Sequence, residues 1–375
     1  GSPWAFVGAC DFKSLLGYGT RITTAFTHGK YSTFLLQDTD RSYILPLRTD
    51  EPSMNTTACK FAASDAIGLW DSNLGVSART SFNLQLAYVL FSRTTSTDRI
   101  LNGIGIVDVS STTEQEKGIF SVLYLEQFTT VTSIAIEARS DYPALYVAGT
   151  NSHGSVLLAK LFARTATQNT VRLALEFQPH RCKSAVCTGI PVMEFYNGLL
   201  VTAIDSTDRG VILATFDVNG HSLKDFENHY TSADVLTGSA GCGFIAYDYH
   251  AHSILVSVGR SSAPSVVKKF EYPSLAVMPS SLTMQYGQST SDIELASSAV
   301  IDVASREIHI VNKMTRVNVL TAVLYDVVDI FPIVADSGSG TKVNVTGSGF
   351  KQLGQDILCR FGEKLNRQLK AQFVS

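Results

Sequence analysis

Charge is scarce in this chain. Only 17% of its 375 residues are Asp, Glu, Lys or Arg, and the 30 basic residues nearly balance the 33 acidic ones. A formal charge of −3 supplies no general basic field, which argues against a nucleic-acid partner. Helix-rich soluble chains need more Glu, Lys and Arg on their wet faces, so the shortage also argues against exposed helices. Long apolar runs are absent too. The most apolar stretch, Val317 to Val334, is broken by Asn318, Asp326, Asp329 and Pro332, whereas a spanning helix needs about 18–20 clean residues. Gly1-Ser2 reads as a cloning remnant, so the sequence is expected to be a segment of a longer protein. At 45% hydrophobic the chain is not a disordered tail. Ser, Thr and short apolar residues fill the space that charge leaves, which favours strands. The expectation is an all-β, soluble, non-basic protein.

Six cysteines are present. Cys182 and Cys187 flank a short stretch bounded by Pro179 and Gly189 and are expected to close a small disulfide loop. The alternatives are free thiols, or a metal site with His180, for which no second ligand pair at matching spacing exists. Two N-glycosylation triplets occur, at Asn55 and Asn344. Together these favour an oxidising, extracellular setting.

An internal period organises the chain. Pairs of apolar runs joined by a turn recur at Thr33–Gln37 and Tyr43–Leu47, Ala87–Phe91 and Ile104–Val107, and Leu145–Gly149 and Val156–Phe162. They continue at Leu199–Ala203 and Val211–Phe216, Ile254–Val258 and Val266–Phe270, and Ile308–Val311 and Val319–Leu324. The first members start 54, 58, 54, 55 and 54 residues apart. A preceding strand is expected at Arg21–Phe26, Phe82–Leu86, Val131–Ile136, Pro191–Phe195, Gly243–Tyr247 and Ser298–Asp302. A following one is expected at Cys59–Ala62, Val122–Glu126, Val171–Leu175, weakly near Phe226, and at Leu282–Tyr286. Four antiparallel strands per repeat is the content of a β-propeller blade. The last repeat lacks a fourth strand, and Ala5–Phe12 is available to supply it. The expectation is a six-bladed propeller over residues 1–330 closed by its N-terminal strand, leaving no open edge between first and last blades. The alternative is a seventh blade within 49–80, around Trp70. Closure would make Cys10 and Cys59 neighbours on outer strands, where a bridge could form; the alternative is two separate small buried residues. Cys242 reads as a packed thiol.

Beyond Pro332 the pattern changes. A Gly-rich turn at Gly338-Ser-Gly340-Thr, the strand Val343-Asn-Val345-Thr-Gly347, Gly349-Phe350 and then Cys359-Arg-Phe361-Gly362 follow one another. These residues resemble the start of an immunoglobulin-like IPT/TIG domain, covering 331–375. The resemblance implies a partner for Cys359 beyond Ser375. A propeller followed by IPT/TIG domains is similar to the ectodomain plan of plexins and the hepatocyte growth factor receptor group. The likeness is one of architecture, since those propellers have seven blades and a cysteine-rich module that this chain lacks.

Catalytic motifs are missing: no Gly-x-Ser-x-Gly, His-Glu-x-x-His, P-loop or Rossmann glycines. Two Trp cannot supply a repeated Ser-x-Asp-x-Gly-x-x-Trp series. His250-x-His252 has metal-like spacing but sits in an expected tight turn. Asp141, Asp205, Asp248 and Asp302 recur at turns and read as repeat punctuation. Lys268-Lys269 lies on a strand, where neighbours point to opposite faces. No cofactor or metal is expected. What remains is a face of loops, represented by Asn151, Ser184, Asp208, Ser239 and Ser262, expected to bind a protein partner at a cell surface. The chain is therefore read as a non-catalytic ectodomain module for binding or adhesion, with any membrane attachment through a part outside this sequence. The alternatives are a propeller enzyme acting on carbohydrate in the central channel, or a structural spacer.

Overall fold

The computed structural model describes residues 5–11, 21–28, 31–37, 42–48, 67–68, 74–81, 86–108, 119–137, 143–162, 172–177, 187–206, 210–217, 239–260, 263–276, 282–283, 296–302, 307–313, 317–323, 326–334, 340–348, 357–360 and 368–372. Every regular element among them is a strand. The first, β1 (Ala5–Asp11), is set aside from its neighbours in sequence. Next come β2 (Arg21–His28), β3 (Tyr31–Gln37), β4 (Ser42–Arg48) and β5 (Ile67–Gly68), paired in that order as one sheet. A second sheet follows: β6 (Leu74–Ser81), β7 (Leu86–Thr94), β8 (Ile100–Asp108) and β9 (Ile119–Tyr124). The third holds β10 (Thr130–Glu137), β11 (Ala144–Thr150), β12 (Val156–Phe162) and β13 (Arg172–Phe177). In the fourth, β14 (Cys187–Tyr196), β15 (Leu199–Ser206) and β16 (Gly210–Asp217) are described, and the weak strand expected near Phe226 lies outside the described residues. The fifth comprises β17 (Ser239–Asp248), β18 (Ser253–Arg260), β19 (Ala263–Glu271) and β20 (Leu282–Thr283).

The sixth sheet joins the two ends of the repeat series. Its strands β21 (Ala296–Asp302), β22 (Glu307–Lys313) and β23 (Val317–Val323) take β1 as their outer neighbour. β1 runs antiparallel to β23, with Ala5 opposite Val323 and Asp11 opposite Asn318. Two ribbons follow: β24 (Asp326–Phe331) with β25 (Asn344–Ser348), and β26 (Ile357–Arg360) with β27 (Gln368–Ala371). β24 spans the expected boundary at 330 and pairs as a unit with β25.

Two expected strands move. The first strand of the second sheet is Leu74–Ser81, not Phe82–Leu86, and Leu86 instead opens β7. The reason is polar content: β6 buries Ser77 and Arg79, so its hydrophobic alternation is weak. The outer strand of the first sheet is Ile67–Gly68, whereas Cys59–Ala62 lies outside the described residues.

The first strands are mutual neighbours. β2 packs on β6, β6 on β10, β10 on β14, β14 on β17, β17 on β21, and β21 returns to β2. Each carries a register shift in its first half, as between Gly75 and Ser77 or Val131 and Ser133. Such bulges bend a strand and raise its twist. Apolar clusters fill the gaps between successive sheets. Leu35 meets Ala78 and Val89; Tyr88 and Leu90 meet Ile134 and Val147; Tyr146 and Leu158 meet Met193 and Leu200. Val201 and Leu213 meet Ile245 and Val256, and Phe244 and Leu255 meet Ile301 and Ile308. Middle strands are thus covered on both faces, and Leu86–Phe91 and Ala144–Gly149 are buried residue after residue. That explains their continuous apolar runs, which one-sided strands would not show. Close approach has its own signature at Gly149, where a Cβ would lie 2.0 Å from the Thr130 carbonyl oxygen. The architecture is all-β and of propeller type.

Candidate functional site

Connections from second to third strands, and from fourth strands to the next sheet, emerge at one end of the sheets, termed upper. First-to-second turns emerge at the other. Among the expected partner-binding residues, Asn151 opens the β11–β12 turn at the upper end. Its carboxamide oxygen accepts the N–H groups of His153 and Ser155, both at 3.0 Å, so the side chain holds its own turn. Ser239 begins β17 opposite Arg260. Ser184, Asp208 and Ser262 lie outside the described residues. Cys187 opens β14 opposite Ser206, while Cys182, Cys59 and Asn55 lie outside the described residues. Cys10 sits in β1 opposite Val319. Asn344 lies exposed in β25, opposite Phe331.

The His250-x-His252 segment is a turn. The Asp248 carboxylate accepts the N–H groups of His250 at 3.1 Å and Ala251 at 3.3 Å, and His252 adopts a φ of 45°. Among the described residues no group of His, Cys, Asp and Glu converges to hold a metal ion.

The first strands hold a feature that sequence reading missed. Arg79 of β6 forms an ion pair with Glu194 of β14. β6 and β14 are first strands of sheets separated by the third sheet, and the pair links them directly. The pair is largely buried, at 11% and 18% side-chain exposure. The Arg79 guanidinium also donates to the carbonyl oxygens of Ala78 at 2.6 Å and Met193 at 3.4 Å, while its Nε–H is buried without an acceptor. Burial pushes the Glu194 carboxyl above its ordinary range, and the guanidinium offsets only part of this. No local motif could have revealed a pair 115 residues apart. Glu194 stood inside the expected strand Pro191–Phe195, but Arg79 preceded the strand expected at Phe82–Leu86, so nothing in the sequence joined them.

Two further buried groups lie in the fourth and fifth sheets. Near the upper end, Asp205 at the close of β15 keeps Oδ1 buried without a hydrogen-bond partner, and burial raises its pKa to about 6. Cys242 on β17 is a free, buried thiol, as expected for a packed residue at the entry to an inner strand; its Sγ contacts the Phe244 carbonyl oxygen at 3.6 Å. Burial, and then the Asp205 charge, push that thiol far up, away from reactive thiolate. At the lower end, Tyr196, Tyr247, Tyr249 and Tyr272 gather where β14 and β17 end. Tyr196 and Tyr247 stack at 4.7 Å between ring centroids, and Tyr249 stands edge-on to Tyr247 at 4.6 Å. Tyr272 donates its hydroxyl to the Tyr196 carbonyl oxygen at 2.5 Å, tying the fifth sheet to the fourth.

No family model matches the chain, and no curated protein matches it. Solved structures do resemble it. One is the β-propeller domain of Cps50 (Swd1) from Myceliophteria thermophila, at 14% identity, covering 82% of this chain and 84% of that one, with a TM-score of 0.46. Another is a chain of a mitotic checkpoint complex, at 9% identity, 85% and 91% coverage and a TM-score of 0.46. A third is XC5397 from Xanthomonas campestris, a gluconolactonase, at 11% identity, 81% and 86% coverage and a TM-score of 0.44. The propeller-type architecture described for this chain rests on its own strand order and register rather than on these likenesses.

Proposed function

We propose that the six sheets are the six blades of a propeller closed by β1, followed by the start of an IPT/TIG domain, and that the molecule is a non-catalytic binding module. The observation that carries this reading is the Arg79–Glu194 pair. A propeller enzyme needs carboxylates free to hold or move protons where the inner strands converge. Here the buried carboxylate on the first strand of the fourth sheet is committed to a guanidinium from the first strand of the second. Ligand contact then falls to the loops, in keeping with their exposure and tolerance of variation. The upper face, with the Cys182–Cys187 loop and the turns at Ser184, Asp208 and Ser262, is the proposed protein-binding surface. The enzyme reading retains one favourable observation, the Asp205 carboxyl with a pKa raised to about 6.

An extracellular or cell-surface setting completes the proposal. It is supported by the exposed sequon at Asn344 and by the Cys182-to-Cys187 spacing. Capture of surface-labelled cell proteins tests the binding face: Ser184→Arg with Asp208→Arg is expected to abolish capture, and undiminished capture would overturn the assignment. Peptide mapping without reductant tests the compartment. A Cys182–Cys187 bridge is expected in protein secreted from cells, and six free thiols would remove the extracellular reading.

A further inference from the structure

Past the sixth sheet, the β24–β25 ribbon sorts its residues by register. Ile330 stands opposite Val345 and Val327 opposite Gly347, which gives one face its apolar character. The other face holds the pairs Phe331 with Asn344 and Asp329 with Thr346. All four of these residues are exposed, and Phe331 stands 69% open to solvent. Within the paired stretch it is the one large apolar side chain on its face, among polar neighbours. Those neighbours are held locally: Asp329 Oδ1 accepts the Ile330 N–H at 2.8 Å, and the Thr346 hydroxyl donates to the Asp329 carbonyl oxygen at 3.4 Å. Among the described residues no aromatic ring stacks on Phe331. Asn344 is also the acceptor of the triplet Asn344-Val345-Thr346. An exposed aromatic ring and a glycan acceptor are therefore direct cross-strand partners, a relation that sets Cβ atoms about 4.5–5.5 Å apart.

We propose that Phe331 is the packing platform for the glycan on Asn344: the C–H face of the first N-acetylglucosamine lies against the Phe331 ring, and the sugar becomes a structural part of the ribbon. The proposal rests on the extracellular reading, which supplies the modification. The linkage forms between Asn344 Nδ2 and C1 of a lipid-linked oligosaccharide, with a proton lost from Nδ2 and the lipid diphosphate leaving C1. The tether selects the occupant. A sugar bonded to Nδ2 begins one amide group beyond the Asn344 Cβ, so it emerges beside the ring opposite, and the contact is intramolecular. A pyranose is apolar on one face and hydroxylated at its rim, which suits a ring whose neighbours are Asp329, Asn344 and Thr346. A protein partner would find only one apolar side chain on this face, beside the exposed Asp329 carboxylate. The contact also falls where it is most needed. A two-stranded ribbon is marginal by itself, and a sugar on β25 packed on a ring of β24 fastens the two strands together.

The test uses the full chain secreted from cultured cells, carrying Asn55→Gln so that Asn344 holds the only glycan. An endoglycosidase trims that glycan to a single N-acetylglucosamine, which is isotope-labelled for NMR. The sugar's C–H protons are expected to shift upfield under the ring current of Phe331. Backbone amides of β24 and β25 should exchange with solvent about tenfold more slowly than in Asn344→Gln, the scale of one aromatic contact. Phe331→Leu keeps an apolar side chain but no π face. It should abolish the upfield shift and bring ribbon exchange to the Asn344→Gln rate, whereas Phe331→Trp keeps both effects. Exchange in the β1–β23 pair should be the same in every variant, which separates a lost sugar contact from a lost fold. The proposal is overturned if the sugar protons resonate as in free N-acetylglucosaminyl-asparagine, if Phe331→Leu leaves their shift in place, or if the glycan leaves ribbon exchange unchanged. Any of these with Asn344 occupied strikes the platform alone and leaves the extracellular reading standing. An Asn344 found unmodified in the secreted chain overturns the platform and removes the sequon from the support for that reading; mapping of Cys182 and Cys187 then decides the compartment separately.

Discussion

The Arg79–Glu194 pair carries a clear energetic asymmetry. Taking two charges from water is costly, and their attraction together with the hydrogen bonds to Ala78 and Met193 offsets that cost. Removing one partner leaves the other buried and uncompensated. Arg79→Met or Glu194→Met alone should therefore destabilise the fold by about 3–5 kcal/mol. The double variant should lie within about 1 kcal/mol of wild type, because two apolar side chains of similar volume suit the same space. Urea unfolding of the four proteins measures this directly, with a strong negative coupling energy expected. Near-additive losses would mean that the two side chains act separately, and would withdraw the pair as support for the proposed non-catalytic reading. A smaller effect in the same sense is already visible at Arg79 Nε, a buried donor without an acceptor in an otherwise satisfied group.

At the scale of elements, legibility followed the environment of each strand. Second and third strands were read nearly in place because burial on both faces turns them into continuous apolar runs. Ala87–Phe91 falls within β7 and Leu145–Gly149 within β11. First strands were harder. They pack against one another and bury polar groups such as Ser77, Arg79, Ser133 and Ser298, and each also bulges, which breaks the two-residue period. Hence β6 was expected eight residues too late, at the better alternation of Phe82–Leu86. Ser133 explains what such polar residues do: its hydroxyl donates at 2.9 Å to the Ile190 carbonyl oxygen in the bulge of β14, tying the third sheet to the fourth. Outer strands were read least well, since they have one partner and little buried surface; β5 and β20 are two residues each. The pairing of β1 with β23 was legible only by counting, from a last repeat that was one strand short. The tyrosine cluster was not legible, because its members sit at turns of two repeats and at the end of β19. The available signal was an aromatic residue closing β14 and another just past β17.

At the scale of the whole molecule, the scarcity of charge reflects sheets packed face to face, which leave few wet strand faces for charged side chains. The region after β23 breaks that rule. Val328 is 76% exposed, Ile333 88% and Val334 86%, in and just after a strand whose described pairing is with β25 alone. A two-stranded ribbon buries too little to be independently stable, and contiguous apolar exposure of this kind attracts hydrophobic probes. The sixth sheet has no need of β24, because β1 already covers the outer edge of β23. A chain ending at residue 324 is therefore expected to keep both the midpoint and the slope of the main urea transition, since the slope follows the surface exposed by the ring alone. The same shortened chain should bind far less of the dye ANS at native conditions than the 375-residue chain. If instead the midpoint falls, or the transition broadens, the β24–β25 ribbon is part of the ring's cooperative unit, and the division of the chain at about residue 330 has to be redrawn. Unchanged dye binding with an unchanged midpoint would place the exposed apolar surface on the ring itself, at such residues as Ile100 and Tyr124, rather than on the ribbon.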